Sequence, residues 1–291
     1  MTDRTKAEWA LAAVTIVWGA SFTLVKGALD DASTVAFLAI RFAAATGAVA
    51  LFSRRALATG MLADPLAWQG GWRAGLCLAL AYLCQTSGLR WTTPSKSAFI
   101  TSLCTVLVPI LGALFYRRLP RAREGAAVVL ALGGVALLTW PSGATGWAMN
   151  RGDLLTIGGA AAFAGHILVT GHYAGRAGLN AFSLLQLATA GLVFWLALPW
   201  IEPVHVDLSP RLLAALLVTA VLCTAVGFTV QAWAQRHTSA TRAGLIFAME
   251  PVSAAATSYL LAGEILAPAG LLGAVLILAA VSVAEPRAGR E

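Results

Sequence analysis

Long apolar stretches separated by short polar connections run through the whole chain. An α-helix rises about 1.5 Å per residue, so roughly twenty apolar residues cross the ~30 Å hydrocarbon core of a bilayer. A helix crosses it with every backbone polar group paired internally. The pattern therefore predicts an all-α membrane protein with ten transmembrane helices, over residues 8–28, 32–53, 71–90, 97–116, 124–140, 152–174, 180–200, 211–235, 240–263 and 266–284.

The fourth of these stretches contains Pro109, and the ninth repeats the design with Pro251. Proline cannot donate a backbone hydrogen bond and crowds the carbonyl four residues earlier, so each proline is expected to interrupt its helix. Interrupted helices at matching positions of two halves indicate the binding site of a transporter, with the two prolines as gating elements. A purely structural kink is the alternative, because proline is common in membrane helices.

Two further segments of the first half are similar to segments of the second half. QTSGLRWT at Gln85–Thr92 aligns with QAWAQRHT at Gln231–Thr238, and LALGGVALL at 130–138 resembles LILAAVSVA at 276–284. We interpret the chain as a duplication, with one five-helix repeat at residues 1–140 and another at residues 151–291. Because five is an odd number, the second repeat enters the membrane in the opposite sense. The expected architecture is an inverted repeat, which permits alternating access.

Arginine and lysine are distributed unevenly between the two sides of the predicted bundle. The side opposite the N-terminus carries only Arg90, Lys96, Arg151 and Arg211 in its connections. By the positive-inside rule, both termini are expected in the cytoplasm. The basic residues on the N-terminal side include Arg4, Lys6, Arg54, Arg55, Arg73, Arg117, Arg118, Arg121, Arg287 and Arg290.

Composition narrows the class of protein further. The chain is 59% hydrophobic and only 11% charged, whereas soluble domains are typically about 25% charged. The net charge of +7 follows from the positive-inside rule, so we expect no nucleic-acid partner. The four cysteines lie in apolar stretches without CxxC spacing, and no Walker, HExxH or GxSxG motif occurs. We therefore expect neither an enzyme nor a cofactor or metal site.

Three ionisable residues of the predicted spans, Glu250, Arg41 and Lys26, are candidates for a functional role. Such a group costs about 2.5 to 3.5 kcal/mol in hydrocarbon, so each needs a partner or a function. Glu250 lies near mid-membrane, and Arg41 lies at a similar depth. Glu250 therefore either forms a buried ion pair or helix latch, or serves as a site for a proton or a substrate amine. Lys26, near the end of the first span, either snorkels to the interface or faces anionic substrate groups in a vestibule.

Polar and aromatic side chains in the spans are the candidates for substrate binding. Spacings of three and four place Tyr82, Gln85, Thr86 and Leu89 on one helix face. The alternative is that such polar groups only bridge neighbouring helices, at roughly 0.6 kcal/mol each. The candidate substrate-binding residues are Trp18, Ser21, Tyr82, Gln85, Phe99, Ser102, Phe163, His166, Gln231 and Glu250.

Four segments carry a resemblance to a known family. IVWGASFTLVK at 16–26, AIRFAAA around Arg41, MEPVSA at 249–254 and GEILAPAGLLGAVLILAAV at 263–281 resemble the EamA branch of the drug/metabolite transporter superfamily. The resemblance implies an exporter of small metabolites in the bacterial inner membrane, with spans one, three, four, six, eight and nine around a central cavity. The bacterial aromatic amino acid exporters are the branch it favours. The Gly263-Glu264 pair that closes the ninth span has no counterpart in the first half.

Other functions remain as alternatives at this stage. An intramembrane enzyme could use Glu250 or His166 as acid or base, and a channel or membrane assembly protein could share the same spans. A nucleotide-sugar or phosphate-ester antiporter would need several central cations, and only Arg41 is central. The expected partners are a small-molecule substrate and the lipid bilayer, with the protein as a monomer.

Overall fold

The computed structural model describes residues 2–115, 122–138 and 149–284. Within these ranges every regular element is helical, apart from one isolated β-bridge between Ala32 and Val206. Residues 139–148 of the link between the halves, and the basic residues Arg117, Arg118, Arg121, Arg287 and Arg290, lie outside them. The helices are α1 (Asp3–Ala28), α2 (Thr34–Phe52), α3 (Arg54–Ala58), α4 (Pro65–Leu89), α5 (Pro94–Thr101), α6 (Leu103–Phe115), α7 (Ala122–Leu138), α8 (Arg151–Tyr173), α9 (Leu179–Ile201), α10 (Pro210–Leu217), α11 (Gly227–Ala234), α12 (Ala240–Phe247), α13 (Glu250–Ala262) and α14 (Pro268–Ala284), with a 3-10 turn at Met61–Ala63 and a π-helix at Val218–Val226.

Six helical segments in the described ranges are long and apolar enough to cross a membrane. The other four predicted stretches are also helical, as α4, α7, the pair α12 and α13, and α14. The expectation of an all-helical, multi-pass membrane protein is therefore confirmed. The six segments are Asp3–Ala28, Thr34–Phe52, Pro94–Leu114, Arg151–Tyr173, Leu179–Ile201 and Pro210–Ala234.

The helices pack in a two-fold pattern that relates the first half to the second. Helix α1 contacts α13, and in the same way α8 contacts α5 and α6. Helix α4 contacts α9, just as α2 contacts the π-helix. Helix α2 contacts its own counterpart α9, and α7 contacts its counterpart α14. Both pairs therefore lie on the two-fold axis. The packing agrees with the duplication predicted from the sequence.

Two aligned arginines reproduce this symmetry in their hydrogen bonds. Arg90 Nη2 donates to the carbonyl of Ala32 at 2.7 Å, and Arg236 Nη2 donates to the carbonyl of Ala177 at 2.6 Å. Each arginine lies just after a helix, and each carbonyl lies in the loop after the first helix of the same half. Hydrogen bonds from a charged donor are stronger than neutral ones. Each half is thus tied together in the same way.

The two interrupted helices differ in where the interruption falls. In the second half it falls at residues 248 and 249, directly before Pro251. In the first half the expectation of a break at Pro109 has to be corrected, because the break falls at Ser102 and Pro109 lies inside α6. The hydroxyl of Ser102 donates to the carbonyl of Phe99 at 2.7 Å, and that of Thr105 donates to the carbonyl of Ser102 at 2.8 Å. These bonds satisfy the carbonyls of Phe99 and Ser102 beside the interruption.

A polar clasp joins the two halves at the end of the bundle opposite the N-terminus. The carboxylate of Asp31 accepts hydrogen bonds from Arg211 Nη2 at 2.6 Å, Arg211 Nε at 2.9 Å and the hydroxyl of Ser209 at 2.6 Å. The Arg211 guanidinium and the Ser209 hydroxyl hold the pKa of Asp31 at about 2, below its ordinary value of 3.8. The ionised carboxylate is therefore the form that the fold favours.

The clasp makes stability depend on pH. Because the pKa of Asp31 is depressed in the folded state, its contribution is complete above about pH 4 and is lost as the pH falls toward about 2. We expect Asp31→Asn to lower the unfolding midpoint of the detergent-purified protein at neutral pH. The difference from wild type should vanish near pH 2. A difference that stays constant across this range would contradict the role of the ionised carboxylate.

Adjacent glycines of α7 provide a matched test of the helix packing. A Cβ on Gly134 would lie 2.7 Å from both the Gly273 carbonyl oxygen and Ile277 Cγ1, whereas a Cβ on Gly133 would meet no atom within 4 Å. We expect Gly134→Ala to lower the free energy of unfolding by about 1 to 3 kcal/mol through overpacking. Gly133→Ala should be neutral or stabilising by up to about 1 kcal/mol, because alanine favours helix. Equal thermal midpoints of the two variants in detergent would refute the close approach of α7 and α14.

Candidate functional site

A small central cavity lies between α1, α2, α4, α5, α6, α8, α11, α12 and α13. Its volume is about 50 Å³. The one-face prediction for α4 agrees with the structure, because Tyr82, Gln85, Thr86 and Leu89 all line this cavity. Of the candidate residues, the structure brings together Trp18, Ser21, Tyr82, Gln85, Phe163, His166, Gln231 and Glu250.

Phe99 and Ser102 are not among the residues that line the central cavity. Both are buried, and the same part of the chain contributes Thr101 and Cys104 instead. Gln85 Nε2 donates to the hydroxyl of Thr101 at 3.0 Å, which fixes both side chains on the wall. Thr101 and Cys104 lie three residues apart, so they share a helix face that does not include Phe99 and Ser102.

Aromatic rings form most of the apolar wall. The ring of Phe228 lies 5.2 Å from Trp18 and 6.0 Å from Tyr82, measured between centroids. Trp18 also contacts Phe247 at 5.4 Å, and Tyr82 contacts Phe163 at 5.3 Å. Tilted and edge-to-face pairs of this kind are favourable beyond the area they bury. Phe228 and Phe247 were not among the residues predicted from the sequence, because neither is distinguished by spacing or charge.

Arg41 is the central cation of the cavity and is only 2% exposed. Its Nε donates to the hydroxyl of Thr224 at 2.8 Å and its Nη2 to the hydroxyl of Tyr82 at 3.1 Å. The guanidinium carbon also lies 4.6 Å from the centre of the Tyr82 ring. No carboxylate among the described residues pairs with it. A planar guanidinium with one free edge is well suited to bind a carboxylate.

The π-helix at Val218–Val226 supplies the partners of two first-half residues. The indole Nε1 of Trp18 donates to the carbonyl of Cys223 at 2.7 Å, and Arg41 reaches Thr224 one residue further on. A π-helix shifts backbone carbonyls out of the regular ladder and occurs frequently at functional sites. The corresponding segment of the first half lies in the regular helix α4. The sequence carries no signal from which this segment could have been recognised.

Glu250 opens α13 and contributes its carboxyl group to the cavity wall. It forms no salt bridge with Arg41, and its carboxyl group accepts no hydrogen bond from any residue that the structure describes. Its position is set by the backbone, because a Cβ on Gly19 would lie 2.3 Å from the carbonyl oxygen of Glu250. Ser253 strengthens this crossing of α1 and α13 by donating to the carbonyl of Ile16 at 2.8 Å. The carboxyl group is therefore held at the cavity without a protein partner.

His166 reaches the cavity from α8 and is 1% exposed. Its Nε2 forms a hydrogen bond with the side-chain amide of Gln186, at 2.9 Å from Oε1. The ring also contacts Phe228 at 5.4 Å between centroids. The other ring nitrogen of His166 can form a hydrogen bond with a ligand.

Lys26 lies beyond the central cavity, at the far end of α1. Its Nζ donates to the carbonyls of Leu89 at 2.7 Å and Arg90 at 3.0 Å.

Among the described residues, no group of three histidine, cysteine or acidic side chains is arranged to hold a metal ion. The described residues that line the central cavity thus provide one cation, Arg41, one carboxyl group, Glu250, and an aromatic wall.

The chain is similar to known proteins in both sequence and fold. A model of the EamA-like transporter family matches residues 5–140 and, a second time, residues 150–284. A protein of Archaeoglobus fulgidus described as an uncharacterized transporter is 32% identical over 286 residues, which cover 98% of this chain and 87% of that protein. A crystal structure of a protein with 18% sequence identity has a TM-score of 0.71 and covers 97% of each chain, so the fold is shared. These findings point to a transporter rather than an enzyme, and the chain belongs to the EamA-like transporter family.

Proposed function

We propose that this protein is a secondary transporter that exports amino acids, with aromatic amino acids favoured, across a bacterial inner membrane. The proposal includes ten transmembrane helices in two inverted domains, 1–140 and 151–291, with both termini in the cytoplasm. In this orientation the end of the bundle at which α1 ends faces outward. The prevalence of basic residues on the N-terminal side supports it.

The observation that carries the proposal is the pairing of opposite charges in one aromatic cavity. Arg41 has a free Nη1 edge for a carboxylate, and Glu250 has a free carboxyl group for an ammonium or a proton. The rings of Trp18, Phe163 and Phe228 line the space between the helices. A zwitterion with an apolar side chain is complementary to all three features.

The size of the cavity supports alternating access. A volume of about 50 Å³ holds roughly two water molecules at about 30 Å³ each, far less than an amino acid needs. A substrate therefore enters only when the lining helices part. The interruptions at Ser102 and before Pro251 are the places where helices facing each other across the cavity can bend. We propose that one half rocks against the other about these helices.

Rival functions have less support from the site. A phosphate-ester antiporter would need several central cations, and among the described lining residues Arg41 is the only one. An enzyme using Glu250 or His166 would need a hydrogen-bonded acid–base arrangement, and no hydrogen bond joins these two residues. Consumption of substrate by the purified protein without a membrane would favour an enzyme. Uptake that does not saturate would favour a channel.

The carboxyl group of Glu250 provides the first test. Glu250→Gln is expected to reduce amino acid uptake driven by a pH gradient in liposomes about tenfold or more, because an amide neither releases a proton nor pairs an ammonium. Asp3→Asn, which changes an exposed carboxylate that pairs with Lys6 of the same helix, is the control and should transport normally. Normal uptake by Glu250→Gln that still follows the pH gradient would remove Glu250 from the mechanism.

The aromatic wall provides a test of selectivity. Phe228→Leu is expected to raise the half-saturation concentration for phenylalanine up to about tenfold, because each aromatic contact contributes roughly 0.5 to 1.5 kcal/mol. The value for leucine should change little. Phe99→Leu is the matched control, since Phe99 is buried but does not line the cavity. If Phe99→Leu changes phenylalanine selectivity and Phe228→Leu does not, the proposed aromatic site is wrong.

A further inference from the structure

A second cavity lies beside the central cavity, and a contact between α1 and the end of α4 lies between the two. The second cavity, here called the far vestibule, has a volume of about 720 Å³ and is lined by residues that include Thr23, Lys26, Arg90, Lys96 and Glu264. Neighbouring residues on each helix face different spaces. Val25 and Leu89 line the central cavity, whereas Lys26 and Arg90 line the far vestibule. The contact between Lys26 and the end of α4 therefore lies on the border of the two.

The ammonium group of Lys26 makes the hydrogen bonds at this border between the two cavities. Its Nζ donates to the carbonyls of Leu89 and Arg90, at 2.7 and 3.0 Å. An ammonium has three protons, so two are used and one is free. Lys26 forms no salt bridge with any described residue. A half-buried cation held only by neutral carbonyls would gain from exchanging them for a carboxylate.

The frame around Lys26 is fixed, which leaves its own side chain as the movable part. Arg90 donates from Nε to the hydroxyl of Thr34 at 2.7 Å, from Nη1 to the carbonyl of Leu29 at 3.1 Å and from Nη2 to the carbonyl of Ala32. These bonds tie the end of α4 to the loop after α1. The flexible four-carbon stem of a lysine can move without disturbing them.

The second half lacks such a cation. Ala32 and Ala177 correspond through the matching arginine bonds, and the same spacing places Gly171 of α8 at the position of Lys26. Near this position Gln235, which follows α11, donates from Nε2 to the carbonyl of Ile167 in α8 at 3.1 Å. Ile167 lines the central cavity as well, so this bond lies at the equivalent border on the other side. An amide is neutral and gains no charge attraction from a carboxylate, so only the Lys26 border responds to an anion.

We propose that Lys26 is a gate residue that closes the central cavity toward the far vestibule and is released by a carboxylate. The carboxylate of an outgoing substrate replaces the carbonyls of Leu89 and Arg90 at Nζ, and the side chain of Lys26 moves away from the end of α4, which opens the border between the two cavities. The direction, from the central cavity outward, rests on the proposed function. The gate itself rests on the position of Lys26 between the two cavities.

The native thiol of Cys104 allows a test that needs no knowledge of the substrate. Cys104 lines the central cavity, so replacing Cys77, Cys84 and Cys223 by alanine leaves one reporter in the full-length protein. The measurement is the rate at which a membrane-impermeant maleimide labels Cys104 in vesicles of each orientation. Lys26→Met should raise the rate of labelling from the far-vestibule side about tenfold or more. The reason is that a hydrogen bond from a charged group favours the closed state over the open state by about that factor.

Two variants control for changes other than the loss of the cation. Lys26→Arg keeps a charged donor and should label slowly, like the parent. Thr23→Val alters the same wall of the far vestibule, but the hydroxyl of Thr23 has no hydrogen-bond partner among the described residues, so the rate should not change. If folded Lys26→Met labels at the parental rate, the gate is overturned.

Sodium acetate tests whether a carboxylate releases Lys26, because acetate is too small to block the access of the maleimide to Cys104. Sodium acetate should speed the labelling of Cys104 in the parent relative to sodium chloride or acetamide at equal concentration, and should have no effect in Lys26→Met. Equal rates in all three solutions would overturn release by a carboxylate. Faster labelling of Lys26→Met from the N-terminal side instead would overturn the position of the gate. Failure of amino acid transport with these labelling results intact would overturn only the proposed substrate.

Discussion

Keeping ionisable groups in an apolar interior costs free energy, and this cost constrains the arrangement of the central cavity. Each such group costs about 2.5 to 3.5 kcal/mol unless partners offset the loss of water. Arg41 obtains two hydroxyl partners and an aromatic face, from Thr224 and Tyr82. Glu250 obtains no side-chain partner from the described residues, although it lines the same cavity. A carboxyl group and a partly paired guanidinium in one cavity add little to stability, but a ligand that carries both opposite charges would satisfy both groups.

Two-fold packing provides the frame, and the groups with distinctive chemistry lie where the two halves differ. Arg41 of α2 corresponds to Gln186 of α9, whose side chain lies 2.9 Å from His166 Nε2. Lys26 corresponds to Gly171. The π-helix occurs in the second half, while the corresponding segment of α4 is regular. A transporter built from related halves needs an equivalent motion on both sides, but it needs to recognise its substrate only once. The differences between the halves are therefore the natural places for recognition.

The apolar pattern predicted the helices, and the spacing of Tyr82 and Gln85 correctly predicted a shared face, because both depend on local periodicity. The interruption at Ser102 was not predicted, because it was expected at Pro109, which the structure keeps inside α6. Phe99 was expected on the cavity wall, but Thr101 and Cys104 line the cavity instead. Phe228 was missed because the chain has 11 phenylalanines, and only the tertiary packing distinguishes the one at the centre. Local signals thus fixed the elements, while long-range contacts determined the wall of the site.

We propose that one cavity binds both charges of an amino acid. Counterflow into liposomes is the most direct test, with phenylalanine compared with 3-phenylpropionate, which lacks the amine, and phenylethylamine, which lacks the carboxylate. We expect saturable counterflow of phenylalanine and weak or no counterflow of either analogue. Equal transport of an analogue that lacks one of the two charges would contradict it.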